Sequence, residues 1–395
     1  MSPTFWSTVL QFSRLAVNAS LLLVASRFLT LAEIGTFATA FAPVRLTQGV
    51  LRAGLGDAAI LHGERRNALI ALSLTLGLTV SLILAGAALL LPPPVGPTLA
   101  ALAPIPLIQS IAQPSESYLR RQMRLRALAM RTMVAQSTSA ALALLVLAQG
   151  GGTFSLVTFA LANTALTGAL SIWLSPIGPS TRPHWREIRA ILPDTLRLSL
   201  RDLAGNATLP LLQLAIGACL GLAAAGAFQI AARFLSLIDA LAIAPIRYVA
   251  LPRFAGLPRP ALREELTRSM SVTARVACLV YPLALLAAPK ILAIAVGPAH
   301  AASVAPLMPA FCLTGLLTAL AMPVTQALSA AGAIRLTLTR SLATLGMTLI
   351  LALPGLQTTL NTAIWALPTA SLLVLLWYIR AAQRWLRPAP ARAAA

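Results

Sequence analysis

The sequence predicts an all-α polytopic membrane protein. It has about twelve transmembrane helices in two six-helix bundles, related by a pseudo-two-fold axis along the membrane normal. Three observations carry that expectation. The chain of 395 residues is 58% hydrophobic and only 10% charged, with mean hydropathy +0.83, whereas a soluble domain carries about 25% charged residues. The apolar residues run in blocks of about 20, enough to cross a ~30 Å hydrocarbon core. The two halves of the chain also share short motifs in the same order.

The blocks follow one another with short, turn-like breaks. The first, 5–28, opens after Met1-Ser2-Pro3-Thr4. That start lacks a basic n-region and no A-x-A site follows at signal-peptide distance, so the block is read as a retained helix. Span two is 34–56, and span three, 67–91, ends at Pro92-Pro93-Pro94-Val95-Gly96-Pro97. Span four, 98–118, contains Pro104, Pro106 and Pro114. Span five, 132–149, stops at Gly150-Gly151-Gly152, and span six is 154–175. A linker, 176–195, holds Pro176, Gly178, Pro179, Pro183 and Pro193 around His184-Trp185-Arg186-Glu187-Ile188-Arg189. It reads as a short amphipathic helix with Trp185 at headgroup level. The second half runs 196–218, 225–249, 270–295, 303–329, 334–353 and 359–379. The expected organisation is therefore an N-terminal lobe 1–175, a cytoplasmic linker 176–195, and a C-terminal lobe 196–395 with a basic tail.

Charge fixes the expected orientation. The chain has 30 Lys+Arg against 10 Asp+Glu. The turns at 29–33, 92–97, 150–152, 219–224, 296–298 and 354–357 contain no Lys or Arg. The other side carries Arg65, Arg66, Arg120, Arg121, Arg124, Arg126, Arg131, Arg182, Arg186, Arg189, Arg253, Arg259, Arg263, Arg268, Arg335, Arg380, Arg384, Arg387 and Arg392. Basic loops stay cytoplasmic, so both termini are expected on that side. A pI near 11.8 then reflects positive-inside loops, and no nucleic-acid partner is expected.

Leu31-Ala32-Glu33-Ile34-Gly35-Thr36-Phe37 matches Leu222-Ala223-Ala224-Ala225-Gly226-Ala227-Phe228 as L-A-x-x-G-x-F at an offset of 191. Asn18-Ala19-Ser20 matches Asn206-Ala207-Thr208 at 188. Ala112-x-Pro114 with Arg126 and Arg131 matches Ala321-x-Pro323 with Arg335 and Arg340 at 209. Both copies start on the cytoplasmic side, which makes the repeat parallel. Transporters built this way bind substrate between their halves and rock one against the other.

Charges inside the membrane are the informative residues, because each costs roughly 2.5–3.5 kcal/mol at a helix centre on insertion scales. Arg14 and Arg45 fall near mid-depth of spans one and two; Asn18 shares the face of Arg14. Arg52 lies near the cytoplasmic end of span two, and Arg233 lies inside span eight. Each reads either as a cavity-lining cation or as a structural one: Arg14 and Arg45 capping carbonyls or pairing with a carboxylate, Arg52 snorkelling, Arg233 paired with Asp202 or Asp239. Asp57, Asp202 and Asp239 are candidates for coupling or ion pairing. Gln109, Gln113 and Glu116 form one polar stripe on span four. Pro114 and Pro323 read as hinges or as static kinks.

Most enzyme classes are excluded; a polytopic glycan ligase, polymerase or glycosyltransferase, which would need a catalytic extramembrane loop, stays as a third alternative. No loop is long enough for a catalytic domain, and no GxxxxGK[ST], HExxH or GxSxG occurs. Cys219, Cys278 and Cys312 and the three histidines are scattered without metal spacing. No catalytic residue, metal or cofactor is expected.

The L-A-x-x-G-x-F turns, the Ala53-Gly54-Leu55-Gly56 run with Asp57-Ala58-Ala59, and the basic loop Leu119-Arg120-Arg121-Gln122-Met123-Arg124 resemble the polysaccharide-transporter (Wzx-type oligosaccharide flippase) branch of the multidrug/oligosaccharidyl-lipid/polysaccharide exporter superfamily. The resemblance implies a flippase of the bacterial inner membrane. It would move a polyprenyl-diphosphate-linked oligosaccharide to the periplasmic leaflet for lipopolysaccharide or exopolysaccharide synthesis, alongside membrane lipids, a polymerase and glycosyltransferases. It also implies a cationic cavity, to which Arg14, Arg45, Arg52 and Arg233 correspond by position; Asn18 and Asn206, intramembrane amides suited to interhelical hydrogen bonds, are expected to join its polar lining. The alternative is a multidrug/cation antiporter of the same superfamily, which would need intramembrane carboxylates.

Overall fold

A computed structural model describes residues 25–49, 51, 66–122, 124–175, 188–189, 192, 199–200, 203–247, 254, 257 and 259–385. These residues are all-helical, with no strand among them. The helices are α1 Leu31–Gly49, α2 Arg66–Leu90, α3 Val95–Leu102, α4 Ile105–Arg121, α5 Leu125–Ala148, α6 Thr153–Leu174, α7 Thr208–Cys219 and α8 Leu222–Ile238. A π-helical segment, Asp239–Ile243, continues α8. Then come α9 Arg259–Val296, α10 Pro298–Val304, α11 Met308–Ala330, α12 Ile334–Leu356, α13 Leu360–Ile364 and α14 Ala366–Trp385.

Among the described residues nine helices are long and apolar enough to cross a membrane, and the protein is a multi-pass membrane protein. The expected spans one, two and seven are not among the nine. Span one lies almost wholly outside the described residues. Span two is represented by the 19 residues of α1, and span seven by α7 with 12 residues.

Local chemistry sets the helix ends. Thr30 and Glu33 form a reciprocal capping box at the start of α1: the Thr30 N–H donates to Glu33 Oε2 at 2.8 Å, and the Glu33 N–H donates to Thr30 Oγ1 at 3.2 Å. Two otherwise orphaned donors are satisfied there. Gly152, at φ 49°, sits immediately before α6, a conformation that favours glycine. The break between α3 and α4 falls at Ala103-Pro104, where Pro104 cannot donate to a continuing helix. By contrast, Pro114 and Pro323 lie inside uninterrupted helices, α4 and α11.

The chain divides into two compact units, 1–226 and 227–395. This boundary falls inside α8. In the first unit α5 packs against α6, α4 packs against both α2 and α6, and α1 packs against α3, α6 and α7. Ile188 and Leu192, from the linker region, pack on Leu51, Ala68, Leu69 and Leu72. In the second unit α9 packs against α11, and α14 packs against both α11 and α12. Tyr281, Phe311 and Tyr378 are among its fully buried large side chains.

Candidate functional site

Hydrocarbon offers no water to satisfy polar side chains, so every polar group inside the helices needs a partner or a function. The expected site residues separate on that criterion. Arg14, Asn18, Arg52, Asp57 and Asp202 lie outside the described residues. Arg45 lies in the last turns of α1 and is half-buried. No hydrogen-bond or ion-pair partner of its guanidinium occurs among the described residues. Asn206 is exposed just before α7, and Arg233 is half-buried on α8 and engaged by neighbouring groups.

Asp239 opens the π-helical segment, and its carboxylate accepts a hydrogen bond from the Tyr281 hydroxyl of α9. Arg247 supplies a nearby positive charge. The carboxylate thus has a phenol as its hydrogen-bond partner, a residue that sequence reasoning did not single out. π segments of one turn recur at functional sites.

Two further arginines stand out, Arg131, which is buried, and Arg340, which is half-buried. Arg131 was expected in a basic loop. It lies six residues inside α5, after Leu125, and is 3% exposed. Its guanidinium donates to Ser171 Oγ on α6 and pairs with Glu116 of α4 at 3.4 Å. Arg340 lies six residues inside α12, after Ile334. It donates to Thr325 Oγ1 of α11 at 2.7 Å and stands 5.2 Å from the centre of the Tyr378 ring of α14.

Each arginine reaches back 15 residues, to Glu116 or Thr325. Each acceptor follows a helix-internal proline, Pro114 or Pro323, by two residues. The two units therefore contain the same device: an arginine joining the proline-bearing helix to two neighbours. One copy contains a carboxylate. The other uses a hydroxyl and an aromatic face, a cation–π arrangement.

A set of carboxamides complements these cations. Gln109 on α4 is 6% exposed, and neither its Oε1 nor its Nε2 has a partner among the described residues. Gln136 Oε1 on α5 and Asn163 Oδ1 on α6 are likewise buried without partners. The three lie eleven or twelve residues from Arg121, Leu125 and Leu174, the Arg-rich ends of their helices. That is a common depth of about 17 Å. Unsatisfied acceptors at one level of three mutually packed helices can take hydroxyl or water donors. The described residues contain no group of His, Cys, Asp or Glu suited to a metal ion.

Comparison with known proteins gives a consistent picture. Over 96% of this chain and 87% of the other, the fold matches "Lipid II flippase MurJ, inward closed conformation", with TM-score 0.83 and 12% identity. It also matches the inward-facing conformation of a multidrug resistance MATE family transporter of the MOP superfamily, with TM-score 0.72 and 17% identity over 94% of this chain and 95% of that one. A MOP superfamily transporter from Pyrococcus furiosus, described as having reversed polarity of its binding pocket, matches with TM-score 0.56 and 14% identity over 98% and 93%. At these identities the likeness is one of fold. No curated protein matches the sequence. Residues 24–305 match the family described as polysaccharide biosynthesis protein; with that match spanning more than half of its length, the chain belongs to the polysaccharide biosynthesis protein family and has the fold of MOP-superfamily transporters.

Proposed function

We propose that the protein is a non-enzymatic flippase of the bacterial inner membrane, with both termini cytoplasmic. It moves a polyprenyl-diphosphate-linked oligosaccharide from the cytoplasmic to the periplasmic leaflet during surface polysaccharide synthesis. The observation that carries this reading is Arg45, a half-buried guanidinium without a hydrogen-bond or ion-pair partner among the described residues. Holding a bare cation away from water is costly unless an anion completes it. A diphosphate does so well, because the arginine fork matches its oxygens. Sugar hydroxyls need polar walls, and the Gln109, Gln136 and Asn163 carboxamides offer them. The polyprenyl tail stays in lipid. Arg14, Asn18, Arg52, Asn206 and Arg233 complete the cavity in this reading, Pro114 and Pro323 act as its hinges, and lobes 1–175 and 196–395 alternate about the linker.

The test is complementation of a deletion strain scored for surface glycan. Arg45→Ala abolishes export at unchanged protein level, and Arg45→Lys restores part of it. Full export by Arg45→Ala removes the cavity assignment. Asp239, an intramembrane carboxylate, favours a second reading as a cation antiporter. Ethidium efflux by the purified protein in vesicles, with no glycan defect in the deletion strain, would select that reading.

A further inference from the structure

A groove of about 480 Å³ runs between α5 and α6, and none of the proposed cavity residues lines it. Its walls are Met130 and Val134 of α5 with Leu170 and Trp173 of α6. Met130 is 50% exposed, Val134 55% and Trp173 78%, so this apolar surface faces the surroundings of the bundle. Arg124 and Arg126, both exposed, stand at one mouth. Arg124 reaches across the groove and donates to the Leu174 carbonyl at 3.5 Å. Arg126 and Val134 are eight residues apart on one helix, so the apolar wall runs about 12 Å from the mouth.

Cations at the rim of a hydrocarbon-lined trough match an anionic lipid in cross-section. A phosphodiester sits at the arginines and an acyl chain lies along the wall. We propose that this groove binds an anionic glycerophospholipid of the leaflet at the Arg-rich end. Its phosphate lies between Arg124 and Arg126, and one acyl chain lies on Met130, Val134 and Trp173. A zwitterionic choline headgroup fits worse, because its quaternary ammonium meets the same two cations. An oligosaccharide carrier also fits worse, because the Trp173 indole N–H is the one polar group that the four wall side chains offer to sugar hydroxyls. Arg131 forms the floor of the groove and holds Glu116 of α4 and Ser171 of α6. A bound lipid therefore braces the same three helices.

The experiment is thermal unfolding of the full chain in detergent, followed by tryptophan fluorescence. Phosphatidylglycerol, phosphatidylcholine or undecaprenyl phosphate is added. Phosphatidylglycerol is expected to raise the Tm by about 3 °C or more above the phosphatidylcholine sample. Arg124→Ala/Arg126→Ala abolishes that difference. Ala127→Trp, which fills the groove and keeps both charges, abolishes it too. Arg380→Ala/Arg384→Ala, which removes two exposed arginines from α14, leaves it intact. Equal shifts with both phospholipids overturn the proposal. So does an equal loss in the α14 variant, which would mark bulk surface charge. An arginine-dependent shift with undecaprenyl phosphate alone also overturns it, by assigning the groove to the carrier lipid.

Discussion

Gly35 and Gly226 meet backbone to backbone. A Cβ on Gly35 would stand 1.7 Å from the Leu222 carbonyl oxygen, and a Cβ on Gly226 would stand 2.0 Å from that of Leu31. The contact is reciprocal. Each glycine is the fifth residue of its L-A-x-x-G-x-F copy, and each faces the first residue of the other copy. Reciprocal contacts of this kind are what a two-fold relation produces. The motif therefore recurs for a physical reason: helices α1 and α8 approach so closely here that only hydrogen fits, the small-residue packing expected in a membrane.

That contact predicts an asymmetric response to alanine. Gly35→Ala forces the α1 and α8 backbones apart and costs about 2–3 kcal/mol or more, in the upper range of overpacking effects. Gly86→Ala, in the exposed part of α2 with nothing within 4 Å of the added carbon, gains up to about 1 kcal/mol from helix propensity. Tm measurements in one detergent compare the two. Similar values would mean that the close approach does not persist in solution.

The two arginine devices predict different penalties. Arg131→Met removes the ion pair with Glu116, whose side chain is 12% exposed, together with the hydrogen bond to Ser171, and costs about 3–5 kcal/mol. Adding Glu116→Leu recovers much of that loss. Arg340→Met orphans no carboxylate. It removes one hydrogen bond to Thr325 and the contact with the Tyr378 ring, for a loss of about 1–2 kcal/mol. Unfolding midpoints with increasing denaturant rank the three variants. A larger loss at Arg340 than at Arg131 would contradict the assignment.

The fold class was legible because hydropathy and charge asymmetry are properties of segments, and segments persist from sequence to structure. The pairing of Arg131 with Arg340 at an offset of 209 was legible for the same reason. Its meaning was not. The apolar run of span five starts at 132 and leaves Arg131 on its loop side, whereas α5 begins at Leu125. An arginine paired across two helices tolerates burial that a hydropathy window penalises. The Tyr281–Asp239 hydrogen bond was invisible for another reason: 42 residues separate the partners, and no periodicity links positions on different helices. The unpartnered amide of Gln109 lay on a stripe that the sequence does show. Only the packing reveals that its neighbours leave it unsatisfied.

Asp239 and Tyr281 can be separated by conservative changes. Tyr281→Phe removes the donor and leaves a partly buried carboxylate oxygen unsatisfied, at a cost of about 1–3 kcal/mol. Asp239→Asn keeps an acceptor of the same shape and is expected to lose less stability. It is also expected to export glycan at close to the wild-type level, because the carboxylate here serves to fix the π segment against α9. Measuring Tm and export on the same preparations decides the matter. A folded Asp239→Asn protein that exports nothing would instead give this carboxylate a role in ion coupling.

Gln109 offers the sharpest separation of stability from transport. A buried amide with both polar atoms unpartnered is a liability for folding, since each orphan group forfeits its full desolvation cost. Gln109→Leu replaces it with an apolar side chain of similar volume. The variant is expected to match or exceed the wild-type Tm, with a gain of up to about 2 kcal/mol. If the amides of Gln109, Gln136 and Asn163 serve as acceptors for sugar hydroxyls or their water, the same substitution removes one wall of the route, and glycan export falls despite the more stable fold. A stabilised variant with undiminished export would place this amide layer off the substrate's path and leave the cations to define the route alone.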